Sequence, residues 1–352
     1  MNIIEAKQSI DKVIAKARVH LYKPIQIAEI LYRDRIVNDI DLNELKTYRT
    51  SSKKWRDFIC NQFLGRSSTS SARYQDDIFN DNAVPPHVLN ILGNENREKK
   101  GIVEAYIYRR FAARFTQLSS GLDYCTTHDK SNFELSEFLL LFWQEAGLRR
   151  SIDKLYEIVV YSLFSAVVSE LELTVEVSMN PEKQPILKEF EDFAKRVINL
   201  EPDVTSFKTT AKLFRVGVTN AADRGLDMWA NFGLAIQIKH LSLSEELAEN
   251  IVNSVNADRI VIVCKKAEQK IIVSLLNQIG WKSRIQSIVT ENDLIDWYEK
   301  ALRGKYGEQI GEKMLKILAK EIKVEFPITE NIEFLKFFNG RDYDKLMDSI
   351  WQ

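Results

Sequence analysis

The sequence predicts an α/β protein of the α+β kind, a mixed sheet flanked by helices behind a mostly helical N-terminal region. Three observations carry that prediction. Apolar residues recur at helical spacing in several stretches of the first 150 residues. From Leu171 onward, short β-rich runs alternate with helical stretches. The 352 residues are 45% hydrophobic and 28% charged, which argues against wholesale disorder, collagen repeats or coiled coil.

The elements follow in order. Ile3 to Tyr22 and, after Pro24, Ile25 to Val37 have helical periodicity. Gly65 to Tyr74, reading GRSSTSSARY, is a Gly/Ser/Thr loop, and Asn80 to Asn96 is turn-rich around Pro85-Pro86. Ile102 to Leu118 and Glu134 to Glu145 are helical, and Ser151 to Glu172 is a strongly apolar, buried helix. A strand over Leu171 to Met179 precedes a helix from Pro185 to Leu200. Strands are expected at Thr210 to Val218, Leu226 to Ala230, Leu234 to His240, Arg259 to Cys264 and Ser283 to Val289. Helices fall at Ser244 to Val255, Ala267 to Ile279 and Asn292 to Arg303, and the chain from Gly304 is helical and basic. The expected organisation is a helical region at 1–150, a mixed-sheet region at 151–303 and a helical extension at 304–352.

Three cysteines and four histidines are scattered without metal-binding spacing, which excludes a zinc set or a disulfide framework and favours a reducing compartment. No apolar run approaches a membrane span and no signal segment opens the chain, so a cytoplasmic protein is expected. The net charge of −1 gives no support to a non-specific nucleic-acid binder. Between Lys46 and Gln75, however, seven basic residues stand against one acidic residue, a net of +6. Such a concentrated excess suits phosphate binding. Lys53, Lys54 and Arg56 are candidate phosphate clamps, and Ser68 and Ser70 candidate donors to phosphate or sugar. Arg66, Arg73 and Gln75 have the bidentate chemistry to read guanine or adenine. A solvated face is the bland alternative.

The chemistry is expected in the segment DRGLDMWANFGLAIQIKHLSL, Asp223 to Leu243. Two strands flank the loop Asn231-Phe232-Gly233, with glycine where left-handed geometry is favoured. Centred on Phe232, the hairpin sets Met228 opposite Ile236 and Asp227 opposite Gln237. Leu226, Met228, Ala230, Leu234, Ile236 and Ile238 then share an apolar face that must be core. Asp227, Trp229, Ala235, Gln237 and Lys239 share the other. Cross-strand neighbours lie about 5 Å apart at Cβ, so the Asp227 and Gln237 oxygens can hold one ion, with Lys239 projecting beside them. That constellation fits metal-assisted phosphodiester hydrolysis. A hard cation such as Mg²⁺ takes Asp227, Gln237 and the Ile238 carbonyl, while Lys239 orients water or stabilises phosphoryl charge. A half-exposed hairpin with a polar outer face is the alternative, but aspartate is depleted in strands and asks for a reason.

These residues resemble the PD-(D/E)xK nuclease core. ADRGLDMWANFGLAIQIKHL, together with KKWRDFICNQFLGRSSTSSARYQDD at Lys53 to Asp77, is similar to type II restriction endonucleases of the HaeII type. The resemblance implies Mg²⁺-dependent double-strand cleavage of a short, RGCGCY-like palindrome by a homodimer with a cognate methyltransferase, with 1–150 as its DNA-recognition region and 151–303 as its catalytic core. It also implies a restriction-endonuclease-like fold. Gln237 departs from the usual acidic residue; Glu189 and Glu191, and less placeably Asp223, are candidates for a compensating carboxylate. A structure-selective repair nuclease and a non-catalytic DNA-binding protein are the rival readings. Trp229, His240 and Cys264 are expected to pack.

Overall fold

The computed structural model describes residues 2–17, 20–65, 67–68, 76–144, 152–216, 226–276, 284–326 and 332–351. The N-terminal region is helical. Helix α1 (Ile3–Lys16) opens with a capping box between Asn2 and Glu5, which satisfies two amides that would otherwise lack partners. Helices α2 (Tyr22–Ile36) and α3 (Ser51–Leu64) follow, and α3 stops at Gly65, whose φ of +64° a side chain would disfavour. Helix α4 (Pro86–Glu98) begins at a proline, where the missing amide costs nothing. Then come α5 (Ile102–Thr127), α6 (Leu135–Gln144) and the apolar α7 (Ile152–Glu170).

Strand β1 (Thr174–Ser178) pairs antiparallel with β2 (Ser206–Thr210) in a separate two-stranded sheet. The expected helix between them is broken. It runs as α8 (Gln184–Glu189), a turn at Glu191–Phe193 and a π-helical turn at Ala194–Ile198, closed by Asn199 at φ +61°. Leu187, Ala194 and Leu200 must all reach the same small core with Met179 and Phe207, and the wider turn brings them there. The strand expected at Thr210 to Val218 is likewise divided, between β2 and β3 (Leu213–Arg215), which belong to different sheets. The Asn231 side chain holds the crossing point: it accepts from Lys212 N and donates to the Thr210 carbonyl, both at 2.9 Å.

The main sheet has the order β3, β4 (Met228–Ala230), β5 (Leu234–Ser242), β6 (Arg259–Lys266), β7 (Ile285–Thr290). β3, β4 and β5 are antiparallel, and β5, β6 and β7 are parallel. Parallel neighbours need crossovers, supplied by α9 (Glu245–Ser254, capped by Ser244) and α10 (Gln269–Leu276). Helices α11 (Glu291–Arg303), α12 (Gly307–Glu325) and α13 (Ile332–Gly340) complete the chain. Both faces of the sheet are covered. Met228, Ile236, Ile238 and Val263 pack with α7, α11 and α12, while Ala235, Ile262 and Cys264 pack with α9.

The apolar interior parts elsewhere than at residue 150. One core joins residues of α1 to α5 as far as Phe115 with Phe334, Tyr343 and Trp351; the other runs from Cys125 to Phe326 and includes the sheet. Helix α5, at 26 residues, is long enough to serve both. The tail from residue 332 closes the N-terminal core instead of extending the C-terminal one.

Candidate active site

The hairpin register is the expected one, with Met228 opposite Ile236 and Trp229 opposite Ala235, and no bulge intervenes. Gly233 adopts φ +83°, and Arg259 at the start of β6 donates to the Phe232 carbonyl, pinning the loop. One member of the expected apolar face departs from it: Leu226 packs with the α9 side, because the chain is already leaving the strand there.

Asp227, Gln237 and Lys239 converge. Asp227 Oδ2 accepts from Gln237 Nε2 at 2.6 Å and from the Ile238 backbone N–H at 2.7 Å, and Lys239 Nζ lies 3.8 Å away. The surroundings differ from a half-exposed polar face, since Gln237 is 2% exposed. Burial pushes the Asp227 carboxyl above the usual carboxylate range, against the pull of Lys239 and the Ile238 N–H. The other amide end is more telling. Gln237 Oε1 is buried and has no hydrogen-bond partner among the described residues. A buried acceptor without a donor beside a buried carboxylate is a pair of oxygens short of positive charge. Among the described residues no three His, Cys, Asp or Glu side chains gather into a ready-made cation cage. The Asp227 carboxylate and the Gln237 amide oxygen are hard oxygen donors, the chemistry a hard cation would take, with its remaining positions left to water and phosphate oxygens.

A second carboxylate was missed in the sequence. Glu157 of α7 is 4% exposed, held by Lys154 Nζ at 2.7 Å, and its carboxyl is pushed up to about 7 by burial, with Asp227 adding to the rise. Lys154 and Asp153 in turn act on Asp227. The charges of the first turn of α7 are therefore felt at the hairpin. The signal was an isolated acid inside LYEIVVYSLF, a run otherwise too apolar to tolerate one. Glu189 and Glu191, the candidate compensating carboxylates, are exposed on the β1–β2 unit, whereas Glu157 is buried and its charge is felt at Asp227. Asp223 lies outside the described residues.

Other expectations resolve residue by residue. Trp229 is 42% exposed and stacks on Phe214 with centroids 4.4 Å apart. His240 packs between Tyr156 and Trp143 and meets Glu291 Oε2 at 3.2 Å, and Cys264 is fully buried. The basic segment is less uniform than its charge count. Arg56 corrects the expectation of a phosphate clamp: it is 1% exposed, with its guanidinium on Asp57 and on Gln26 Oε1, because it faces inward from α3. Lys53 and Arg49 share Asp76, and Lys46 pairs with Glu44, two acids just outside the Lys46–Gln75 window. Lys54 is exposed, and Ser68 is half-buried. Arg66, Ser70, Arg73 and Gln75 lie outside the described residues.

Comparison with known proteins decides the family. The model of the HaeII restriction endonuclease family matches residues 6–343. The chain belongs to that family. It is 61% identical over 349 residues to the type II restriction enzyme HaeII of Haemophilus aegyptius, covering 99% of both chains. It is 60% identical over 341 residues to the type II restriction enzyme NgoBI of Neisseria gonorrhoeae, covering 97% of both. No solved structure matches. A member of this family is a restriction endonuclease, a hydrolase of DNA phosphodiester bonds, and among the described residues no helix is long and apolar enough to cross a membrane.

Proposed function

We propose that the chain is a type II restriction endonuclease with a PD-(D/E)xK site, which cleaves both strands of a short palindrome in unmethylated DNA with Mg²⁺ as cofactor. The observation that carries the reading is the meeting of Asp227, the orphaned Gln237 oxygen and Lys239 at one end of the hairpin. Asp227, Gln237 and the Ile238 carbonyl would hold the cation, with Glu157 supplying the negative charge that Gln237 lacks. When bound, the cation polarises the scissile phosphate and lowers the pKa of water. The Ile238 N–H orients the Asp227 carboxylate. Lys239, partly exposed and anchored electrostatically by Asp227, reaches toward solvent, where it can orient the attacking water or balance the charge that grows on the phosphoryl oxygens.

Lys53, Lys54, Arg66, Ser68, Ser70, Arg73 and Gln75 form the proposed DNA-contacting segment, with Lys54 its exposed cation on α3. The relatives' names support the reaction class, and an RGCGCY-like, GC-rich site follows from the resemblance to the HaeII type. A homodimer would set one such centre on each strand, and a cognate methyltransferase in the same cytoplasm would protect the host sequence.

Digestion of unmethylated phage DNA with and without Mg²⁺, followed by sequencing of the fragment ends, tests the reading. Discrete ends that share one palindrome are expected with Mg²⁺ alone. Random ends, cutting only at junctions, or undiminished activity in a folded Asp227→Ala variant would overturn it.

A further inference from the structure

The β1–β2 unit, which the catalytic site does not use, carries the strongest surface anomaly of the described residues. Along the helical run 184–198, Ile186, Phe190, Phe193 and Val197 are 55%, 55%, 54% and 67% exposed. Leu187 and Ala194, on the opposite side of the same run, are buried in the unit's own small core. The run is therefore apolar on two sides and covered on one. With Ile198 and Val204, also 41% and 50% exposed, the uncovered side presents on the order of 600 Å² of apolar surface, at the upper end of what soluble monomers leave bare. A groove of about 410 Å³ lies along it, between Met179, Ile186, Phe190 and Phe193.

We propose that this stripe is the contact through which two copies of the chain form a two-fold dimer. Four features point to a second copy. The spacing of the stripe is 4, 3 and 4 residues, so it reads identically from either end. An antiparallel copy related by a two-fold axis then mates Ile186 with Val197 and Phe190 with Phe193, residue for residue, as an isologous contact requires. Three cations beside it are already paired within the chain: Lys195 with Glu201 at 2.9 Å, Arg196 with Asp192 at 3.0 Å and Lys208 with Glu176 at 3.4 Å. A second copy thus meets an apolar strip with a polar rim, where DNA would meet paired cations in a net acidic segment, with five basic residues against seven acidic ones between Thr174 and Thr210. The area also approaches the roughly 800 Å² per partner of a standard stable interface, before any polar rim is counted. Finally, β2 and β3 adjoin the hairpin at its loop, through Asn231, whereas Gln237 and Lys239 lie farther along β5. A dimer made through this unit leaves the catalytic end open to DNA.

The inference rests on the proposed cleavage of both strands, since one chain supplies one Asp227 centre. Sedimentation at micromolar protein, without DNA or metal, reads the interface apart from that chemistry. The intact chain is expected at twice its 40.8 kDa and a Phe190→Asp/Phe193→Asp variant at 40.8 kDa, with an unchanged circular-dichroism spectrum because both rings are exposed. On supercoiled plasmid the variant should nick at least tenfold faster than it linearises, whereas Asp227→Asn should stay dimeric and cut neither strand. Hydrogen exchange of 184–198 in the unaltered chain provides a readout that needs no variant, and should slow with increasing concentration. A monomeric intact chain, a variant that remains dimeric, or exchange in 184–198 that ignores concentration would overturn the proposal.

Discussion

Asp227 is held by two opposing influences, burial that favours its protonated form and Lys239 with the Ile238 amide that favour its charge. In Asp227→Asn the shape survives and the charge does not, so cleavage should fall by at least about a thousandfold while the melting temperature holds or rises; a smaller loss in a steady-state assay would move the centre elsewhere. Lys239→Gln should cost about 10²–10³-fold in kcat with little change in DNA affinity, since one cation at the reacting phosphate is removed and the rest of the contact surface stays. Glu157 gives a pH prediction. Its folded-state pKa of about 7 exceeds the ordinary 4.5, so the folded protein holds this proton more tightly than the unfolded chain does. Its contribution is complete below pH 4.5 and lost as pH rises past about 7. In chelator, the intact chain should lose up to about 3 kcal/mol between pH 5 and 8 relative to Glu157→Gln. Parallel pH profiles from urea titrations of the two proteins would refute this. At this scale the triad was legible, because strand alternation and a glycine loop fix which side chains meet. Glu157 was not, because helical periodicity does not say which turn of α7 faces the hairpin. Arg56 was misread for a similar reason: charge was counted along the chain, and the inward face of α3 was left out.

At the scale of elements, the hairpin depends on what braces its outer edge. β3 has only three residues, yet it carries Arg215, whose guanidinium meets Glu325 Oε2 and Glu321 Oε2 of α12, each at 3.0 Å. Arg215 and Glu325 are nearly inaccessible, at 5% and 2% side-chain exposure. Removing the guanidinium takes a paired charge out of a buried site, so Arg215→Ala should cost about 3–5 kcal/mol in denaturant unfolding, and the hairpin it supports should lose cleavage activity with it. A loss under 1 kcal/mol would mean that α12 does not brace the sheet. Most helices and the parallel strands were legible because capping residues and continuous apolar runs are local signals, as at Ser244 before α9 and in RIVIVC of β6. The division of β2 from β3 was not, since the chain changes sheets at Ala211–Lys212 without a glycine or proline to mark it, and the side chain that holds the crossing, Asn231, is 19 residues away from Lys212.

Over the whole molecule, the two apolar cores explain why the last residues matter. Trp351 is fully buried and its indole N–H donates to Glu95 Oε1 at 3.1 Å. Arg341 pairs with Glu29 at 2.7 Å, Tyr343 donates to Glu104, and Lys99 meets Asp348 at 2.7 Å. These contacts run from the tail to α2, α4 and α5, so the chain's two ends share one core and the sheet hangs between them as the other. A loss at the tail should therefore act far from its own sequence neighbours. Trp351→Ala removes a large ring from a closed interior and should cost about 3–5 kcal/mol. Amide exchange should quicken in α1, α2 and α4, while β5 and β6, packed in the other core, keep their protection unless α5 frays along its whole length. Equal loosening of both regions would mean that α5 couples the cores into one cooperative unit. Loosening confined to residues 332–351 would mean that the tail rests on the N-terminal core without supporting it.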